Sequence, residues 1–92
     1  MTLNAYTMSL KHQQLIAKKL LVIVHRSGID NTIPRRELRN IFMRRTGEYI
    51  EEFTFVLLLQ QMEKGYLITR DRKENTVTLT PHIVELLEKE EV

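Results

Sequence analysis

Apolar positions along this chain repeat with two different periods, and the switch between them marks out its elements. Over residues 9–26 the period is helical: Leu10, Ile16, Ala17, Leu20, Ile23 and Val24 share a stripe. Ser9 stands where an N-cap hydroxyl is wanted, and Ser27-Gly28 closes the helix. Residues 29–33, IDNTI, form a connector that can pair as a short strand. Pro34 opens a second helix running to Arg45, with a narrow apolar face of Leu38, Ile41 and Phe42, and Thr46-Gly47 ends it. After the connection Glu48-Tyr49-Ile50, a third helix over residues 51–64 turns Phe55, Leu58, Leu59 and Met62 inward at i, i+3, i+4 and i+7.

Beyond Lys64 the period becomes two. Gly65 can take the left-handed conformation that stops a helix without a Cβ clash. Tyr66-Leu67-Ile68-Thr69 and Thr76-Val77-Thr78-Leu79-Thr80 are rich in β-branched and aromatic residues and read as two strands. The polar run Asp71-Arg72-Lys73-Glu74-Asn75 joins them, ending in an Asn that tolerates positive φ. Thr80-Pro81 places a capping hydroxyl and a first-turn proline before a fourth helix, residues 81–90, with Ile83, Leu86 and Leu87 facing inward. Its end, Glu88-Lys89-Glu90-Glu91, is a solvated tail. Residues 1–8 are an N-terminal extension. The reading is a single α+β domain, mostly helical: a three-helix core, a two-stranded hairpin and a C-terminal helix.

Composition narrows the classes. Ninety-two residues with 42% hydrophobic and 28% charged side chains suit one globular domain with a modest core. Without cysteine there is no disulfide framework and no thiol chemistry, which suits a reducing, cytoplasmic setting. No apolar run approaches the roughly 20 residues of a membrane helix, and the N-terminus lacks the layout of a signal peptide. The net charge of +2 conceals a division: residues 1–50 carry nine Lys/Arg against three Asp/Glu, and residues 51–92 carry five against nine. A basic half beside an acidic half points to a partner-binding region.

Arg45-Thr46-Gly47, then Phe55, Leu58 and Met62, the run Glu63-Lys64-Gly65-Tyr66-Leu67-Ile68, and Leu79-Thr80 followed by Ile83 to Leu87 together resemble the winged helix-turn-helix transcriptional regulators. Within them the order is similar to PadR-like and small archaeal or archaeal-virus proteins. The resemblance covers roughly residues 9–90 and is carried by core and punctuation residues. It implies a dimer that lays its third helix in the major groove and its hairpin, the wing, near the flanking backbone. In the related architecture the terminal helices pair, which makes Leu15, Leu21, Val22, Leu86 and Leu87 interface candidates.

The candidate DNA contacts are arginines. Arg35, Arg36 and Arg39 fall on one flank of the second helix, between about 60° and 160° from Leu38, beside the positive helix N-terminus. Their planar forks suit phosphate. Arg44 and Arg45 add charge at the other end. In the hairpin Arg70, Arg72 and Lys73 supply a basic tip, partly offset by Asp71 and Glu74, and Arg70 and Arg72 alternate so as to point the same way.

The third helix fits less simply. Phe53, Val56, Leu57 and Gln60 lie opposite its core face, so it is apolar nearly all round, and its first turn carries Glu51 and Glu52. Thr54 is the one polar contact candidate in that turn. Three explanations stand: packing against a partner subunit or against Leu3 to Met8, contact with thymine methyls, or service as a protein-binding surface. Partner packing is placed first, with Phe53, Val56 and Leu57 as interface residues.

No pattern calls for catalysis. His12, His25 and His82 are widely spaced with no ligand partner, the three glycines sit at helix ends rather than in a phosphate loop, and the adjacent carboxylates point apart on a helix. The expectation is a non-enzymatic DNA-binding protein, dimeric and without cofactor or metal, gripping duplex DNA through the second helix and the wing. The alternative is a protein-interaction module of the transcription or replication machinery.

Overall fold

Ser9 sets the start of the first helix: its Oγ accepts the His12 N–H at 3.1 Å, satisfying one of the donors a helix start leaves unpaired. The computed structural model describes residues 2–90. Met1, Glu91 and Val92 lie outside them, so the last residue of the expected acidic tail is not part of the description. In chain order the elements are β1 (Thr2–Leu3), α1 (Leu10–Ser27), β2 (Thr32–Pro34), α2 (Arg35–Thr46), β3 (Tyr49–Ile50), α3 (Glu52–Lys64), β4 (Ile68–Asp71), β5 (Thr76–Leu79) and α4 (Pro81–Glu90). The fold is α+β, four helices around a small antiparallel three-stranded sheet of order β2-β5-β4.

Period-two patterning explains the sheet. Val77 and Leu79 of β5 point into the core beside Ile33 and Ile68, and the register pairs Ile33 with Val77 and Ile68 with Leu79. The connector after α1 does supply a strand to the hairpin. Pro34 closes it rather than opening the helix: it pairs with Thr76, and α2 begins one residue later. A proline lacks the N–H an inner strand must donate, and β2 is an edge strand.

The core is laid down by α1. Ile16, Leu20 and Val24 are fully buried against Leu38 and Phe42 of α2, Phe55 and Leu59 of α3, and the sheet. Burying a phenylalanine such as Phe42 or Phe55 contributes roughly 1.5–3 kcal/mol. All seven residues expected inward on α2 and α3 are buried. Leu10, expected in the α1 stripe, is exposed, and so is Leu86 of α4, while Ile83 and Leu87 are buried as expected. Leu87 and Leu21 are therefore core residues here and not free interface positions.

Two glycines are required by geometry. A Cβ on Gly28 would stand 2.6 Å from the Val24 carbonyl oxygen. Gly47 ends α2 at φ 71°, the left-handed region. Gly65 differs from the expectation, with φ −83°, and Tyr66 is the left-handed residue at φ 61°. The reason is that Gly65, just past the end of α3, stays in the right-handed region. Tyr66 N–H then donates to Glu63 O and Leu67 N–H to Met62 O, the paired bonds of a helix end that needs its left-handed residue at 66. Thr80 also departs from its expected capping role, since its hydroxyl donates to the Tyr66 and Leu67 carbonyls. Asn75 takes φ 57° in the hairpin turn, as its residue type suggested.

The extension folds onto the body. Leu3 is buried, Thr2–Leu3 pairs in parallel with Tyr49–Ile50, and Ala5 N–H donates to Thr54 Oγ1 at 2.9 Å.

Candidate nucleic-acid interface

Three elements meet where the second helix leaves the sheet. Arg35 N–H donates to the Asn75 carbonyl and its Nε to Asn75 Oδ1 at 3.1 Å, so the first turn of α2 is tied to the hairpin turn. Along the other side runs α3. Between them lies a groove of about 390 Å³ lined by Arg35, Glu52, Val56, Gln60, Arg70, Asp71, Arg72, Asn75, Thr76 and Val77. The groove brings together Arg35, Arg70 and Arg72, which sequence spacing alone did not join.

Its charges are arranged in pairs. Arg35 Nη1 bonds Glu52, and Arg39 Nε stands 3.5 Å from the other Glu52 oxygen. Arg70 donates to Glu63 Oε1 from Nε at 3.3 Å and from Nη2 at 3.0 Å. That hydrogen bond, aided by the charges of Arg70 and Arg72 and opposed by burial, holds the Glu63 carboxyl below its ordinary value of 4.5. The acidic residues of α3 are thus neutralised by the arginines beside them.

Arg39 has turned inward. Its Nε and Nη2 donate to the Ile50 carbonyl at 3.1 and 2.7 Å, and the guanidinium lies 5.4 Å from the centre of the Tyr49 ring. It braces α2 to β3. Arg36 points outward and, with Pro34, Glu37, Asn40, Met43 and Arg44, lines a second, broader groove of about 730 Å³. Arg36, Asn40 and Arg44 follow at i, i+4 and i+8, so they share one exposed stripe. Arg45 donates to Ser27 Oγ at 3.2 Å.

At the hairpin tip Asp71 Oδ1 accepts the N–H groups of Lys73 and Glu74, a side-chain turn that leaves the Arg72 and Lys73 side chains exposed. Arg70 and Arg72 both line the groove but are held differently: the first folds back onto Glu63 of α3 and the second is exposed.

Thr54 is a correction. It is 2% exposed and its oxygen is engaged by Ala5, so it offers nothing to a duplex. The exposed face of α3 instead holds Phe53, 62% exposed, with half-buried Val56 and Leu57 and exposed Gln60. The N-terminal segment covers the Thr54 side and leaves that face open. Glu52, Glu63 and Asn75 were not expected as parts of the site. Their roles arise from contacts 7–40 residues away in sequence, and no local pattern signals them. The Arg36, Asn40 and Arg44 stripe was legible in its spacing.

Another groove, of about 350 Å³, is lined by Leu15, Lys18, Lys19, Val22, Ile23, Arg45 and Thr46. Among the described residues no helix is long and apolar enough to cross a membrane. Comparisons of the chain with protein-family models, with curated proteins and with solved structures each return no match.

Proposed function

We propose that this protein binds duplex DNA in a winged helix-turn-helix manner, with α3 and the β4–β5 hairpin on either side of one phosphate backbone. The observation that carries the reading is the convergence of Arg35 of α2, Arg70 of β4 and Arg72 of the turn on a single groove. Guanidinium groups from separate elements along a concave surface suit successive phosphates, Arg72 being open to solvent while Arg35 and Arg70 would exchange Glu52 and Glu63 for phosphate. Arg36 and Lys73 extend the basic surface beyond the groove. Arg39 contributes indirectly by fixing the angle between α2 and β3.

The class we infer is a transcriptional regulator acting as a homodimer. Leu15 and Leu86, 52% and 44% exposed on α1 and α4, support pairing through the terminal helices. The test is affinity for duplex DNA measured against salt on a sample of known mass. With about six phosphates neutralised per protomer, log K falls against log salt with a slope near −5. No binding at about 50 mM salt overturns the reading. A monomer at micromolar concentration overturns the dimer alone.

A second reading rests on Phe53, a large apolar side chain left in solvent one turn before Leu57. It makes α3 a docking face for a protein of the transcription or replication machinery. Phe53→Glu and Leu57→Glu then abolish that complex without unfolding the chain, and a duplex-binding protein whose affinity both changes lower contradicts it.

A further inference from the structure

The exposed face of α3 has a chemistry that selects among base pairs. At about 100° per residue, Phe53, Val56, Leu57, Gln60 and Lys64 fall within an arc of roughly 100°. That arc contains no carboxylate. Glu52 and Glu63 lie about 80–100° to one side of Phe53, and each is paired with an arginine of the groove wall. What α3 presents is therefore an apolar strip with one amide in it, bordered by a wall that carries Arg35, Arg70 and Arg72.

Resting on the DNA-binding reading, we propose that α3 selects A·T pairs by packing Val56, Leu57 and Phe53 against thymine C5-methyl groups, with Gln60 reading the adenine. The thymine methyl is the apolar group on the major-groove edges of the bases, and a glutamine amide matches adenine N6 and N7. Guanine would ask for an arginine or lysine and cytosine for a carboxylate. The arc holds no carboxylate and its lysine stands at the last residue of the helix, while Glu52 and Asp71, which line the same groove, are engaged by Arg35 and by the Lys73 and Glu74 N–H groups. Val56 and Gln60 line the groove together with the arginines, so a backbone seated there brings base edges to these two side chains. The same apolar surface that argues against hydrogen-bonded readout thus favours one particular base pair.

The experiment compares three duplexes of about two helical turns: an A·T-rich sequence, the same sequence with every thymine replaced by uracil, and a G·C-rich one. The full-length chain is used throughout. Burying one methyl is worth roughly a fourfold change in affinity, so two contacted thymines give a loss of tenfold or more in the uracil duplex. The salt slope stays the same, because the phosphates are the same. Val56→Ala shrinks the thymine-to-uracil ratio, and Gln60→Ala lowers the A·T over G·C preference while keeping that ratio. Equal affinity for the thymine and uracil duplexes overturns the inference and leaves the DNA-binding reading intact. Failure to bind any of the three removes both. Should Val56→Ala unfold, the duplex comparison on the unaltered chain decides alone.

Discussion

The basic side chains of α2 and the hairpin fall into two groups that differ in what their charged groups already hold. Arg35, Arg39 and Arg70 are paired with Glu52, Glu63 or the Ile50 carbonyl, and their side chains are 28%, 18% and 12% exposed. Arg36, Arg44, Arg72 and Lys73 are exposed and, among the described residues, their side chains form no ion pair. A paired arginine is held in position and contributes to the fold, but a phosphate must displace its carboxylate. An unpaired one gives up only water and rotamer freedom, so in the proposed DNA complex it would supply more of the salt-dependent affinity. On the proposed DNA-binding reading, counting arginines therefore overstates the number of phosphate contacts; their partners decide how much each one would contribute.

The largest expected effect comes from the unpaired group. Arg36→Ala, Arg72→Ala and Lys73→Ala together lower duplex affinity by roughly a hundredfold near 0.1 M salt and flatten the slope by about 2–3. The melting temperature stays within the narrow range of surface changes, which calorimetry checks. A triple variant that melts early would merge the two groups.

Arg39→Ala tests the paired group from the other direction. It removes two charged hydrogen bonds to a carbonyl of a buried residue and the contact with Tyr49, costing about 2 kcal/mol and lowering the melting temperature by roughly 8–16 °C. Arg39→Lys restores less than half, since an ammonium cannot make the fork. Unchanged stability would mean the brace carries no weight.

Glu52→Gln separates holding from gripping. It frees Arg35 for phosphate, so affinity rises roughly three- to tenfold and the salt slope steepens by about 1. Stability falls by less than about 1 kcal/mol, because Glu52 is half exposed and solvent screens the pair. Opposite signs in the two measurements are the expected result; a parallel loss of both contradicts it.

The smallest effect is on pH. Arg70 holds the folded Glu63 carboxyl below 4.5, so the pair adds stability above that value and loses it as pH falls through the lower, folded one. Between about pH 6 and pH 3 the wild type gives up more stability than Glu63→Gln, in thermal melts at matched salt. Equal losses would show that Arg70 and Glu63 are neighbours without coupling.

Local rules made most of the framework legible. The inward positions of α2 and α3, the Ser9 cap, the turn at Asn75 and the strand after Gly28 all follow from spacing or from one residue's conformational range, which act within a few residues. Those rules picked out the arginines but not their grouping: the expected flank is divided, with Arg35 on one groove, Arg36 on another and Arg39 on the Ile50 carbonyl, and Arg70 leaves the hairpin tip for Glu63. They misplaced what depends on distant partners. Thr54 looked available because its helix position is polar, and only the return of the N-terminal segment buries it. Leu86 and Leu87 were both expected to face inward, and the packing of α4 buries only Leu87 of the two adjacent leucines. Tyr66 rather than Gly65 takes the left-handed turn because the closing bonds from the Tyr66 and Leu67 N–H groups to Glu63 and Met62 set the reversal at 66. By itself, then, the sequence determined the order of the helices and the hairpin and the residues able to carry charge, while the short strands β1 and β3, read as an extension and a connection, exist only through their pairing with each other. Which of those charges are spent inside the protein was decided by the tertiary structure alone, since an ion pair between Arg35 and Glu52 depends on the approach of two helices and on nothing in either helix.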